Sequence, residues 1–210
     1  MPAESPASRQ QRKERTRQAI LDAALDIADR ESLATVSLRQ VTKAVGIVPT
    51  AFYRHFTSID ELGLALVDQS FASLRDMLRD VRRNSAELHG VIAGSVAVLV
   101  DHVHQRRQHF RFIARERTSG PAVVRAAIRH ELELFERELA TDLARLPQSG
   151  DWSSDDLRIM ANLIVTAMVA TAEAIIAAPP ERPDVEREVV RTAVQQLRMI
   201  AVGAMSWKSR

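Results

Sequence analysis

Two clusters of side chains in this 210-residue chain have types and spacings that could do chemistry. The first is cationic and hydrogen-bonding. It comprises Arg12, Lys13 and Arg17, followed by Ser37, Arg39, Thr50, Ala51, Tyr53, Arg54 and His55, with no acidic residue between Glu31 and Asp60. Guanidinium and ammonium groups hold phosphates, and an arginine fork also reads a guanine edge. The chemistry expected here is therefore recognition of a nucleic acid. Arg12, Lys13 and Arg17 are assigned to phosphates. Arg39, Thr50 and Ala51 are candidates for base edges, Arg39 through guanine and Ala51 through a thymine methyl. Tyr53 and His55 are assigned to positioning on the backbone. The second cluster lies in HQRRQHFRFIARERTSG, where Arg106, Arg107, Arg111, Arg115 and Arg117 alternate with Phe110, Phe112 and Ile113.

Catalytic and metal chemistry find no support. The six histidines include His102, His104, His109 and His130. His102 and His104 do not share a helix face, and no His-Glu-x-x-His accompanies them. A Gly-rich phosphate loop and a Gly-x-Ser-x-Gly elbow are both missing from the sequence. Asp155 and Asp156 stand at a helix start, where the helix dipole accounts for them. No enzyme activity, cofactor or metal is expected.

The first cluster must be positioned by the stretch VSLRQVTKAVGIVPTAFYRHF, residues 36–56. Ser37 with Gln40 is a capping-box start, and Leu38, Val41 and Val45 follow at helical spacing. Gly46 suits a sharp turn, Pro49 suits the first turn of a second helix, and Phe52 and Phe56 share a face. This is a helix-turn-helix, the build that enters a DNA major groove. An earlier helix, from about Arg9 to Arg30, offers Ile20, Leu21, Ala24, Leu25, Ile27 and Ala28 to a three-helix core.

Ser58 with Glu61 reads as a second capping box, opening a long helix to about Arg83. Residues 87–104 are apolar nearly all round, as in a buried central helix. After Gly120-Pro121 a helix presents Val124, Ile128, Leu132, Phe135, Leu139 and Leu146. Ser153 with Asp156 caps another, from Asp155 to about Ala178, which Pro179-Pro180 ends. The last runs from about Asp184 to Trp207, with Val189, Ala193, Leu197, Ile200, Ala204 and Trp207 on one stripe. The expected fold is all-α with about nine helices: a disordered arm (1–8), a helix-turn-helix domain (9–57) and a helical ligand-binding and dimerisation domain (58–210). Met160, Leu163, Ile164 and Ala167 of the penultimate helix, with Leu197, Ile200 and Ala204 of the last, are expected at a two-fold dimer interface, because a palindromic site calls for a C2 dimer. Simple packing within one chain is the alternative.

Composition sets outer bounds. Hydrophobic content of 46% supports a sizeable core, and seven Gly with eight Pro favour long helices. The chain has no Cys, which excludes disulfides and thiolate sites and fits a cytoplasmic location. MPAESPAS lacks the apolar segment of a signal peptide, and no membrane span is expected. Net charge is only +2, so placement of charge carries the information.

Arg17 to Phe56, with GIVPTAFYRHF and the helix restarting at Ser58-Ile59-Asp60-Glu61, resembles the N-terminal domain of the TetR family of transcriptional repressors. The family pattern is matched by Gly46, Ile47, Phe52, Tyr53, His55 and Phe56, while Thr42 stands where many members have alanine. This resemblance implies a homodimer built on the last two helices and a double-stranded DNA operator. FRFIARERTSG, together with DELGLALVD and QLRMIAVGAMSW, is similar to the FabR and DesT type, the branch controlling unsaturated fatty acid synthesis and desaturation. That implies a long-chain acyl-CoA effector. An acyl chain needs an apolar tunnel, for which Leu74, Leu78, Val96, Leu99, Phe110, Ile113, Phe135, Ile164 and Met168 are the candidates. Arg106, Arg107, Arg111, Arg115 and Arg117 are the candidates for the CoA phosphates. The residues themselves leave three readings open: this effector, an unrelated apolar or drug-like ligand, or no effector, with the arginines solvated or paired with Glu116, Glu131 and Glu133.

Overall fold

A computed structural model describes the backbone of residues 6–83, 88–145 and 152–209, and the side chains of these except 6–8, 73 and 76–93. Every regular element in the described residues is helical: α1 (Pro6–Ala28), α2 (Leu38–Val45), α3 (Pro49–Phe52), α4 (Ile59–Arg83), α5 (Leu88–Gln105), α6 (Arg107–Ser119), α7 (Ala122–Leu143), α8 (Ser154–Ala177) and α9 (Pro183–Ser206). The chain divides into two compact units. One comprises Met1–Ser70 and Arg111–Ile128, the other Phe71–Phe110 and Arg129–Arg210. Helices α4, α6 and α7 each contribute residues to both.

In the first unit, local sequence determines the helix-turn-helix. The Ser37 hydroxyl accepts from the Gln40 N–H at 3.3 Å, and the Gln40 side chain accepts from the Ser37 N–H at 2.7 Å. Gly46 ends α2 in the left-handed region at φ 73°, which a Cβ would disfavour. Thr42 is buried, and its hydroxyl donates to the Leu38 carbonyl at 3.0 Å. Ile20, Leu21, Ala24, Leu25, Ile27 and Ala28 of α1 are buried, as are Phe52 and Phe56. The start of α4 departs from the expected capping box. Ser58 caps the Glu61 N–H at 3.1 Å, but the Glu61 carboxylate accepts from the Thr57 N–H and hydroxyl instead of reaching Ser58.

The first unit extends beyond these four helices. Phe112, Val124 and Ile128, from α6 and α7, are fully buried. A Cβ on Gly63 of α4 would lie 2.8 Å from Val124 Cγ2 and 3.1 Å from Leu33 Cδ1, so glycine permits close packing there.

In the second unit α5, α8 and α9 pack on one another. One cluster joins Leu99, Val103, Phe110, Ala172 and Ile175, with Leu74 and Met168 against it. Another joins Val96, Ala193 and Leu197, with Ile164, Ala167, Met168 and Ile200 against it. The Phe71 and Phe135 rings lie 5.6 Å apart, and Arg75 pairs with Glu131. Ser153 caps α8 through the Asp156 N–H at 3.1 Å. Trp207 falls just past the end of α9 and is exposed, so the last helix's buried stripe stops short of it.

No span is expected from the sequence, and α8, which passes for one by length and composition alone, is only weak evidence against that reading. Only 22% of its most apolar stretch is buried. Packing on α5 and α9 uses one face and leaves Ile159 and Leu163 uncovered.

Candidate nucleic-acid interface

The basic residues of α1 and the polar residues of α2 and α3 belong to the same compact unit. Arg12 and Lys13 are exposed on α1. Arg17 is held: its guanidinium carbon lies 4.9 Å from the centre of the Phe56 ring. A cation over an aromatic face gains about 0.5–1 kcal/mol and loses side-chain freedom before any phosphate arrives. Tyr53 is exposed and packs edge-on against Phe52 at 5.8 Å and 88°. Arg39, Thr50 and Arg54 are exposed, Ala51 is partly buried, and Ser37 is engaged in capping.

His55 is half-buried, and its Nδ1 is buried with no hydrogen-bond partner among the described residues. Burial lowers its pKa, and Lys13, Arg17 and Arg54 lower it further against the opposing pull of Glu14. The imidazole is therefore neutral at pH 7 within an electropositive surrounding. An arriving phosphate reverses that penalty and favours protonation. Wild-type operator binding should therefore tighten as pH falls below 6.5, and His55→Asn should flatten that dependence. Folding stability moves the other way. With the folded pKa depressed, the neutral form is favoured and stability falls as pH drops through that range. Parallel pH profiles of operator affinity for the two proteins would show that His55 lies away from phosphate.

Arg17→Ala and Tyr53→Phe should weaken binding to all duplexes alike. The arginine change should also lower the magnitude of the log–log salt slope by about one. Arg39 and Thr50 substitutions should change sequence preference instead. Anisotropy titrations on two unrelated duplexes at several salt concentrations separate these effects. Equal loss of selectivity at Arg17 and Arg39 would reverse the assignment.

The Arg–Phe stretch is divided between the two units. Arg106 is exposed at the α5–α6 junction, and Arg107 donates to the Ile176 carbonyl at 2.9 Å. Arg111 and Arg115, expected at the mouth of a ligand tunnel, are instead committed within the first unit. Arg111 pairs with Asp29 at 3.0 Å, and Arg115 donates to the Ala28 carbonyl at 2.8 Å. Both engage the C-terminal end of α1, where cations complement the helix dipole. Ile113 and Arg117 are partly buried in the same unit.

Glu116 was anticipated only as a partner for these arginines. It is fully buried, and its carboxylate accepts from the Leu33 N–H and the Ser32 hydroxyl, each at 3.1 Å. Burial pushes its pKa up, while those two bonds and Arg115 pull it down. Nothing in its local sequence marked this role, because Ser32 lies 84 residues away.

Among the sequence-expected tunnel residues, Leu74, Leu99, Phe110 and Met168 meet in one cluster, and Val96, Ile164 and Met168 in the other. Phe135 packs on Phe71, and the Leu78 side chain lies outside the described residues. Of the expected dimer residues, Ile164, Ala167 and Ile200 pack against the Val96 cluster of their own subunit. Leu197 is 7% exposed there, which leaves it almost no surface for a partner. Leu163 is exposed, while Met160 and Ala204 are partly so. Ile159, Met199, Val202 and Met205, which the sequence reading does not name, are large exposed apolar residues of α8 and α9 like Leu163. No group of three or more His, Asp or Glu among the described residues is placed to share a metal ion.

Residues 20–66 match the family described as bacterial regulatory proteins, tetR family, and residues 88–203 match the tetracyclin repressor-like C-terminal domain. The chain belongs to the TetR family. It is a DNA-binding transcriptional regulator of a family that dimerises and is not enzymatic. Solved structures share the fold. A transcriptional regulator from Rhodococcus sp. Rha1 is 21% identical, with 89% of this chain and 96% of that one covered, at a TM-score of 0.64. A TetR-family regulator from Streptomyces coelicolor is 19% identical, covering 91% and 96%, at 0.68. The regulator FadR from Bacillus subtilis, in complex with stearoyl-CoA, is 15% identical, covering 89% and 98%, at 0.67.

Proposed function

We propose that this TetR-family protein is a homodimeric repressor of genes for unsaturated fatty acid synthesis or desaturation, modulated by long-chain acyl-CoA. The observation that carries the effector reading is the convergence of Leu74, Leu99, Phe110 and Met168 in one apolar cluster of the second unit. Exposed Arg106 follows directly on α5, the helix that supplies Leu99, and precedes α6, which supplies Phe110. An acyl chain suits the apolar cluster, and a CoA phosphate suits an exposed guanidinium. The structural likeness to a regulator bound to stearoyl-CoA adds support. Arg106 is the headgroup cation in this proposal, since Arg107 donates to the Ile176 carbonyl and Arg111 and Arg115 are committed to α1.

Only a ligand with unequal affinity for two conformations shifts their balance. Straight and kinked chains share one headgroup and differ in shape. Palmitoyl-CoA and oleoyl-CoA should therefore compete for one site and change operator binding unequally, while free CoA does little. Arg106→Ala should weaken both acyl effects without altering operator affinity in their absence. A fluorescence-anisotropy titration with the three compounds tests this. Identical curves for the two acyl chains would remove shape sensing. No effect from either would remove the acyl-CoA reading and leave operator binding standing.

A further inference from the structure

The DNA-reading helix α3 starts without the cap its neighbours have. Ser37 caps α2, Ser58 the start of α4 and Ser153 α8, each through a side-chain oxygen, while α9 starts after Arg182 without one. At the corresponding position of α3 stands Val48, with extended backbone (φ −78°, ψ 150°) and no side-chain hydrogen bond to the helix. Its carbonyl still accepts from the Ala51 N–H at 2.9 Å, so the geometry of a cap is present and only the side chain is wrong for it. Valine is among the poorest residues at this position. The side chain also gains little from burial, being 63% exposed. Two local preferences are thus violated at one residue, and such conflicts concentrate at functional sites.

What Val48 can touch follows from where it sits. It directly precedes Pro49 and Thr50, both exposed, on the helix that a helix-turn-helix inserts into the major groove with its N-terminal residues toward base edges. In that groove the single apolar feature is the C5-methyl of thymine. Ala51, the residue chosen for this contact from the sequence, is partly buried and reaches less far. We propose that Val48 is a specificity-determining residue that packs its isopropyl group on a thymine methyl in each operator half-site. This rests on α2–α3 being the DNA-reading motif and adds a base contact to it.

The test uses an operator selected from random duplexes by the wild-type protein. Each thymidine is replaced in turn by deoxyuridine, which removes the methyl and nothing else. Wild-type binding should lose about fourfold at one thymine per half-site, the factor that corresponds to about 0.8 kcal/mol for one buried methylene-sized group. Val48→Ala should lose that sensitivity at that position and keep the rest of the deoxyuridine profile. Val48→Ser should do the same while raising the melting temperature by about 2 °C, because it restores a cap. The stabilised variant ensures that lost discrimination cannot be misfolding. Deoxyuridine profiles of wild type and both variants that coincide at every thymine would overturn the assignment to Val48. Failure of the wild type to select any sequence would instead overturn the DNA-reading assignment beneath it.

Discussion

Replacing Glu116 by alanine should destabilise the first unit by about 2 kcal/mol and lower operator affinity, although residue 116 belongs to α6, outside the helix-turn-helix. The substitution strands the buried Leu33 N–H without its acceptor, at a cost of about 1–3 kcal/mol. It also opens a cavity, since Glu116 is fully buried. Ser32 and Leu33 lie in the turn between α1 and α2, so their loosening bears on how the two helices are held. Glu116→Gln keeps an acceptor for Leu33 and should be far milder. A pH series separates charge from shape. Because burial raises the carboxyl pKa, the folded state holds its proton more tightly than the unfolded chain. The resulting stabilisation is fully present below the unfolded chain's ordinary value of 4.5 and is lost as pH rises through the raised value. Wild type should therefore lose stability relative to Glu116→Gln as pH rises across that window. Melting curves of the two proteins that shift in parallel would show that the buried carboxyl is not the titrating group.

Leu163→Arg should convert the protein to a folded monomer and weaken operator binding by about two orders of magnitude or more, through loss of bivalency. Leu163 and Ile159 on α8, with Met199, Val202 and Met205 on α9, are large apolar residues left uncovered by their own subunit. They form the face we assign to the partner. A guanidinium there meets solvent in the monomer and would be buried without a partner in the dimer. Leu197→Arg should behave differently. Leu197 sits against Val96 and Ala193, so a charge there should unfold the second unit at a cost of about 3–5 kcal/mol. Sedimentation distinguishes the outcomes. A Leu163→Arg variant that still sediments as a dimer would move the interface elsewhere.

What was legible in the sequence was local. The Ser37–Gln40 capping box, the turn at Gly46 and Pro49 at the start of α3 each depend on residues within a few positions, and each stands as read. Helical periodicity located the core of α1 and, through Val124, Ile128 and Phe135, that of α7 for the same reason, while Leu146 lies outside the described residues. Contacts made across long separations were not legible. Arg17 reads as a phosphate ligand beside Arg12 and Lys13, but nothing local to it shows that it lies over Phe56. Arg111 and Arg115 looked like ligand cations, yet they meet Asp29 and Ala28 more than 80 residues earlier. Leu197 and Leu163 are both apolar residues on amphipathic helices, and periodicity cannot say which face meets α5 and which meets a second subunit. At Val48 a usable signal existed: a helix start with no Ser, Thr, Asp or Asn where one is favoured.

Two copies of the α2–α3 motif are expected to read a symmetric DNA site. Sequencing the duplexes that the purified full-length chain retains from a random pool tests it most directly. The predicted result is enrichment of an inverted repeat whose half-site centres lie about 34–36 Å apart, or a multiple of that, along the DNA axis. A pool that stays random, or that converges on a single asymmetric half-site, would contradict it.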